Sequence, residues 1–262
     1  LQQNGIDENL EIQKITKKIV NVYLNEILEK TSPRNRNNTR SNLSIIFKYL
    51  EENEIIKSNF VKDTIVLKAD PERNKAYSEK QESEIFKLLE KDKILLLFIQ
   101  FVSYNFLRPV EVCRLKVKDL NIEDKKLFVK AKNKKDKTKI IPDILIKELP
   151  NLNKLQQDSF LFTPQIIGGS WDATETNRRD YFSKRFNEVI KKPLGLGKNY
   201  GLYSFRHTYT VKLYNELIKG STPFEAKSKL MLITGHTTMS ALEKYLRDID
   251  AVLPDDYSDL IK

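Results

Sequence analysis

With a single cysteine, Cys113, the chain can form no internal disulfide and no multi-cysteine zinc site, a scarcity expected in a reducing compartment. Its two histidines, His207 and His236, lack spaced Cys, Asp or Glu partners, so no metal is expected. The eight glycines are too few and too scattered to cradle a nucleotide phosphate; neither G-x-G-x-x-G nor a Walker pattern occurs, and no cofactor is expected. A G-x-S-x-G elbow is missing as well, which sets serine-hydrolase chemistry aside. Long apolar runs are also lacking. The stretch from Ile94 to Val102 is broken by Gln100 and falls short of the roughly 18 uninterrupted apolar residues of a membrane span, so the chain reads as soluble with no membrane partner. No signal peptide follows Leu1, and a first residue other than Met is expected of a processed or trimmed chain. The expected location is the cytoplasm.

Acid is in short supply too: 46 Lys and Arg stand against 36 Asp and Glu, a net charge of +10. Such a balance favours a polyanionic partner, because bound cations release counterions from phosphates, but ribosomal and membrane-surface proteins share it. The distribution is more informative. Between Lys125 and Lys139 eight lysines face one acid, Asp136. This is either a positive lobe or a solvated hairpin whose lysines deter edge pairing.

Apolar spacing predicts amphipathic helices through Ile12, Ile15, Ile19, Val22 and Tyr23, then through Leu43, Ile46, Phe47 and Leu50. The polar stretch between them carries Arg34, Arg36 and Arg40, side chains suited to phosphates and base edges or simply to a capped loop. Periodicity stops near residue 70, so a helical domain is expected over 1–70, a linker over 71–77, and a second domain over 78–262. That domain should open on a capping box, Ser78 with Gln81, and run through helices over 79–104 and 109–117, with Pro109 in a first turn. Strands are predicted over 126–132 and 138–141, joined by the turn 133–136, and helices near 177–192, 204–218, 223–232 and 240–247. The fold class is therefore mainly α with a small antiparallel β-sheet. Trp171 is read as packing.

Three segments concentrate phosphate-competent or nucleophilic side chains beside apolar sequence: Leu107-Arg108-Pro109-Val110-Glu111, Tyr203-Ser204-Phe205-Arg206-His207, and Gly235-His236 followed nine positions later by Tyr245. Each alone has an ordinary structural explanation. In this order, with a lysine-rich hairpin after the first, they resemble the catalytic boxes of the tyrosine recombinase, or phage integrase, family from about Tyr77 to Leu246. The opening helices resemble that family's core-binding domain, and the second domain its catalytic domain.

The resemblance implies strand cleavage and rejoining through a 3′-phosphotyrosine, without ATP or metal. Tyr245 is then the nucleophile, and Arg108 and Arg206 meet the phosphate charge with planar, bidentate donors. A hairpin lysine protonates the leaving oxygen: Lys132 by position, with Lys134, Lys135 and Lys137 as neighbours that contact DNA or take its place. His236 donates to the same phosphate, and Glu111, three residues after Arg108, holds that arginine or nearby backbone. His207 is expected to pack or hydrogen-bond within its helix. Tyr203 occupies a position where the family usually carries histidine, which leaves the proton acceptor unassigned, because tyrosine is a poor base near neutral pH. Ser240 and Glu243, in capping-box spacing, predict a short, movable helix for Tyr245.

Double-stranded DNA is the implied partner, clamped between the two domains. A homo-oligomer, a tetramer on paired sites, is implied as well, with the tail from Arg247 to Lys262 docked on a neighbour, and a prokaryotic or phage-encoded protein at the nucleoid. Two alternatives share these residues: a type IB topoisomerase-like relaxase acting alone, and a DNA-binding regulator on a degenerate recombinase scaffold.

Overall fold

A computed structural model describes residues 10–69, 74–130, 136–248 and 258, and divides the chain into two compact units, 1–72 and 73–262. In the first unit, helices α1 (Lys17–Lys30) and α2 (Pro33–Glu52) start on Thr16 and Ser32, whose hydroxyls accept the backbone N–H groups of Ile19 and Asn35. Val20, Leu24, Phe47 and Val61 form the core, with Ile15 and Leu43 against it; Val22, Ile45 and Ile46 are exposed. The buried stripe is thus rotated from the one the spacing suggested, because the 3-10 turn Phe60–Asp63 packs on α1 and α2 from one side.

The arginines of α2 have internal work. Arg36 is buried and donates to the carbonyl of Ile65; Arg40 donates to those of Thr64, at 2.7 Å, and Lys62. Asn37 adds a reciprocal pair with the backbone of Leu67. Of the three arginines expected to face DNA, Arg36 is buried and pins the chain after α2, which corrects that expectation for it, while Arg40 is half-buried and Arg34 exposed.

In the second unit Tyr77, expected in the linker, is buried instead. Its N–H donates to the Thr208 hydroxyl at 2.8 Å and its own hydroxyl to the Gly201 carbonyl at 3.0 Å. Helix α3 (Glu79–Leu89) opens on the Ser78–Gln81 capping box, and α4 (Lys93–Tyr104) follows after a break. Asp92 causes that break: its carboxylate caps Leu95 N–H and accepts both arms of the Arg185 guanidinium at 2.7 Å, which ties α4 to α7 (Glu175–Phe186). Helix α4 is buried from Leu97 to Ser103. Phe98 stacks on Phe182 at 4.2 Å, Phe162 lies edge-on to Phe98, and Phe101 lies edge-on to Phe162.

The expected helix over 109–117 shrinks to one turn, α5 (Pro109–Val112), before a 3-10 turn at Val117–Asp119. Strands β1 (Leu120–Asn121), β2 (Lys126–Val129) and β3 (Lys137–Ile140) form an antiparallel sheet in the order β1-β2-β3, with Val129 opposite Lys137. Helix α6 (Asp143–Ile146) follows; β4 (Phe160–Phe162) and β5 (Ile167–Gly169) make a second, unanticipated pair. Trp171 packs edge-on against Tyr181 and Phe182. Helix α7 runs on into a π-helical turn, Asn187–Lys191, and α8 (Leu202–Lys219), α9 (Pro223–Thr234) and α10 (Met239–Asp248) complete the unit.

Candidate active site

Helix α8 organises the site. Leu202 and Phe205 point into the core, the latter against Tyr77, Phe86 and Phe186. Tyr203, Arg206, His207 and Thr210, spaced by three and four, share the other face. Arg206 is 2% exposed; its Nη2 donates to the Thr234 carbonyl at 3.2 Å, and its Nε has no acceptor. A guanidinium buried with an idle donor is costly unless an anion arrives to accept it.

Arg108 comes from a strained turn. Phe106, an aromatic residue at φ 53°, reverses the chain after α4, and the Asn105 amide donates to the Ile140 carbonyl at 2.6 Å. Pro109 then starts α5. The Glu111 carboxylate accepts the backbone N–H of Arg108 at 2.7 Å and its guanidinium at 3.0 Å, so one acid sets both the turn and the side chain. Burial opposes the charge on Arg108, but Glu111 and Tyr203 outweigh it and the guanidinium pKa is raised.

Helix α9 begins on a Thr222–Glu225 capping box and ends at Gly235, whose φ of 75° is left-handed. A Cβ there would meet nothing closer than 3.8 Å, so conformation and not space calls for glycine. The turn presents His236. Its Nδ1 lies 2.6 Å from the Thr234 hydroxyl, which already donates to the Leu230 carbonyl at 2.7 Å; Thr234 therefore accepts from Nδ1–H. Nε2 then carries a lone pair, and the ring donates through it only when protonated. Burial, then Arg206, Arg108, Lys137 and Lys139, push the His236 pKa down to about 4.

Lys137 and Lys139, on one side of β3, donate to the Gly235 carbonyl at 3.0 Å and the Ile233 carbonyl at 2.7 Å, tying the sheet to the C-terminal end of α9. Burial first, then Arg206, push the Lys139 pKa down to about 7, with Lys137 and Arg108 adding to the fall and Glu111 opposing it. Lys132, Lys134 and Lys135 lie outside the described residues. Among those described, no three His, Cys, Asp or Glu side chains come together to hold a metal ion.

Tyr245 rides on α10. Its helix is capped by Thr238, which accepts from Ala241 N–H at 3.2 Å, and not by the expected Ser240; Glu243 is drawn away to Lys227 of α9 at 2.9 Å. The Tyr245 ring lies between those of His207 and His236, with centroids 5.3 and 5.0 Å away. Its hydroxyl is 2.9 Å from His207 Nδ1 and 3.5 Å from the Thr210 hydroxyl. Burial raises its pKa to about 12, against the pull of Arg206, so at neutral pH it is a phenol.

A cleft of about 980 Å³ fronts this arrangement, lined by Arg108, Lys137, Tyr203, His236 and Thr237 among others. Arg114, also in its wall, is paired with Glu175. Arg206 is buried and does not line the cleft, and the Tyr245 ring lies against His236, which does. Arg108, Tyr203, Arg206, His236 and Tyr245 are thus brought together from four segments. The contact of His207 with Tyr245, and the approach of Lys139, were missed from sequence; the signal for His207 was its place on the same α8 face as Tyr203 and Thr210.

The family model for the phage integrase family matches residues 75–251. The chain belongs to that family. Among curated proteins, the tyrosine recombinase XerA of Pyrococcus furiosus is 25% identical over 177 residues, which covers 66% of this chain and 57% of that relative. The chain thus spans little more than half of that curated relative's length. Two solved structures share the fold. A lambda integrase dimer bound to a COC′ core site matches with TM-score 0.72 at 18% identity, covering 97% of this chain and 70% of that one. The Tn1549 transposon integrase in complex with circular intermediate DNA matches with TM-score 0.63 at 19% identity, covering 97% and 87%. The integrase family match takes in every described residue of the site.

Proposed function

We propose that this protein cleaves and rejoins DNA strands at specific sites, with Tyr245 as nucleophile. The observation that carries this reading is the cluster of basic side chains around a buried phenol: among the described residues Arg108, Lys137 and Arg206 stand near Glu111, with Lys139 and His236 beside them and their charges suppressed by burial and by these neighbours, while Glu175 is taken up by Arg114. A phosphodiester supplies the missing negative charge. It gives the idle Nε of Arg206 an acceptor and restores protons to His236 and Lys139.

In the proposed reaction the Tyr245 oxygen attacks phosphorus, and Arg108 and Arg206 neutralise the nonbridging oxygens. His236, protonated once the anion is bound, donates through Nε2, and Tyr203 hydrogen-bonds the same phosphate. The 5′ oxygen leaves with a proton from a hairpin lysine. By resemblance that lysine is Lys132. Lys139 is the described lysine suited to the same step: burial and Arg206 hold its pKa down to about 7 before an anion binds, the bound phosphate keeps it protonated, and the departing oxygen takes that proton as its charge develops. The phosphotyrosine keeps the bond energy for rejoining, so neither ATP nor a metal ion is required. Arg34, Lys134 and Lys135 are proposed as backbone contacts on duplex DNA, and assembly into a tetramer on paired sites as the working form.

The test uses a pool of nicked duplexes with randomised cores, incubated in EDTA without nucleotide, from which protein-linked strands are recovered under denaturing conditions. Wild type should yield a 3′-linked adduct on a defined subset of cores. Binding without any adduct would sink the proposal and favour a DNA-binding regulator. Relaxation of supercoiled plasmid by monomers, regardless of sequence, would favour a relaxase.

A further inference from the structure

The usual position of a catalytic histidine on α8 is held by Tyr203, yet a histidine one turn further along touches the phenol. We infer that His207 is a catalytic residue, the acceptor that removes the Tyr245 proton as the phenol attacks phosphorus. The inference rests on the recombinase reading above and goes beyond it in assigning that proton.

Geometry decides the direction of the hydrogen bond. The Tyr245 hydroxyl has one hydrogen and three neighbours: His207 Nδ1 at 2.9 Å, Thr210 Oγ1 at 3.5 Å, and the Arg206 guanidinium, which can only donate. Thr210 spends its own hydrogen on the Arg206 carbonyl at 2.7 Å, so it cannot donate to the phenol. The shorter contact takes the phenolic hydrogen, which puts the His207 proton on Nε2 and a lone pair on Nδ1. His207 is 7% exposed, and water has little access to replace it. The charged and titratable groups around it are Arg206 and Tyr203 on α8, Tyr245 on α10, and His236 beyond the Tyr245 ring.

Burial and Arg206 hold the imidazole at about 4, which keeps it neutral and able to accept. A phenol at about 12 does not give its proton to such a base before attack. Transfer belongs with formation of the oxygen–phosphorus bond, when electron withdrawal makes the phenolic O–H strongly acidic and the bound phosphate offsets Arg206. The O–P bond forms, the proton passes to Nδ1, the bond from phosphorus to the 5′ oxygen breaks, and that oxygen takes a separate proton from the lysine. On rejoining, Nδ1–H returns its proton to the departing phenolate.

The test compares wild type with His207→Asn and His207→Ala on the best duplex from the pool and on its 5′-bridging phosphorothiolate analogue, whose sulfur leaves without a proton. His207→Asn should bind DNA normally and cleave about 100-fold more slowly near neutral pH. Its deficit should shrink as pH approaches that of the phenol and should not be relieved by the bridging sulfur, whereas a Lys139→Ala or Lys132→Ala deficit due to lost acid should be. A cleavage rate equal to wild type, a deficit equal at every pH, or rescue by sulfur would each overturn the assignment. Nitrogen-15 imidazole shifts of the wild-type protein give a readout independent of any variant: a proton on His207 Nδ1 in place of Nε2 also overturns it. Failure of wild type itself to form an adduct would instead remove the recombinase reading, and this inference with it.

Discussion

Among the described residues, the second unit holds two hydrophobic clusters that differ in scale and in what they carry. One runs from Tyr77 through α3, α4, the sheets and α7 to Phe205, and supports Arg108, Glu111 and the β3 lysines. The other consists of Tyr214, Ala226, Leu230, Leu242 and Leu246 and supports Tyr245. Helix α8 belongs to both, through Phe205 at one end and Tyr214 at the other. The cationic cluster, the proposed seat for a phosphate, is therefore built on the large core, while the phenol sits on a ten-residue helix held by two buried leucines and the Lys227–Glu243 pair. Each fully buried leucine contributes about 2 kcal/mol, so release of α10 costs far less than unfolding the unit.

That contrast can be broken from either side. Tyr245→Phe removes the proposed nucleophile and should abolish the covalent adduct while gel shifts show DNA binding intact. On the other side, Arg206→Lys keeps a charge but loses the planar fork, and cleavage should fall by about 10²–10³-fold with little loss of binding. A smaller effect would mean that Arg206 serves mainly to hold Thr234.

The stability contrast comes next. Phe98→Ala, at the centre of the large core, should cost about 3–5 kcal/mol in global denaturant unfolding. Leu242→Ala opens a cavity of the smaller cluster, and its main effect should be local, seen as faster hydrogen exchange in α10 than in α4. Equal exchange in both helices would contradict the division.

Acid should also act on the lightly held side. The His207 pKa falls from 6.5 to about 4 on folding, so the unfolded chain binds a proton that the folded one refuses. Its contribution to stability is complete above 6.5 and is lost as pH falls through 4; the shift corresponds to roughly 3 kcal/mol, and His236 acts in the same sense. Urea unfolding of wild type and His207→Asn across that window should converge at the acid end. Smallest of all, Lys227→Ala removes a partly exposed ion pair and should shift stability by less than about 1 kcal/mol, with a visible rise in α10 exchange.

Helices with a cap and a long apolar period were legible in the sequence: α3 from Ser78 and Gln81, α9 from Thr222, Pro223 and Glu225. Where a longer-range partner competes, local reading misled. Ser240 and Glu243 have capping-box spacing, but Lys227 claims the glutamate and Thr238 takes the cap. Arg36 and Arg40 look like phosphate ligands in a polar loop, yet carbonyls more than twenty residues later claim them. The short strands β4 and β5 have too little pattern to be read without each other.

By itself the sequence determined which residue types the site could use. Two arginines, the Gly235-His236 pair and Tyr245 nine residues on have an order that chance seldom produces, and Gly235 permits a backbone turn that other residues resist. Only the tertiary structure decided which histidine meets the phenol. His207 and Tyr245 lie 38 residues apart, and their contact depends on how α10 packs against α8 and α9. The pKa values near 4 and 7 follow from the same packing, because burial and crowded charge arise only when distant segments converge.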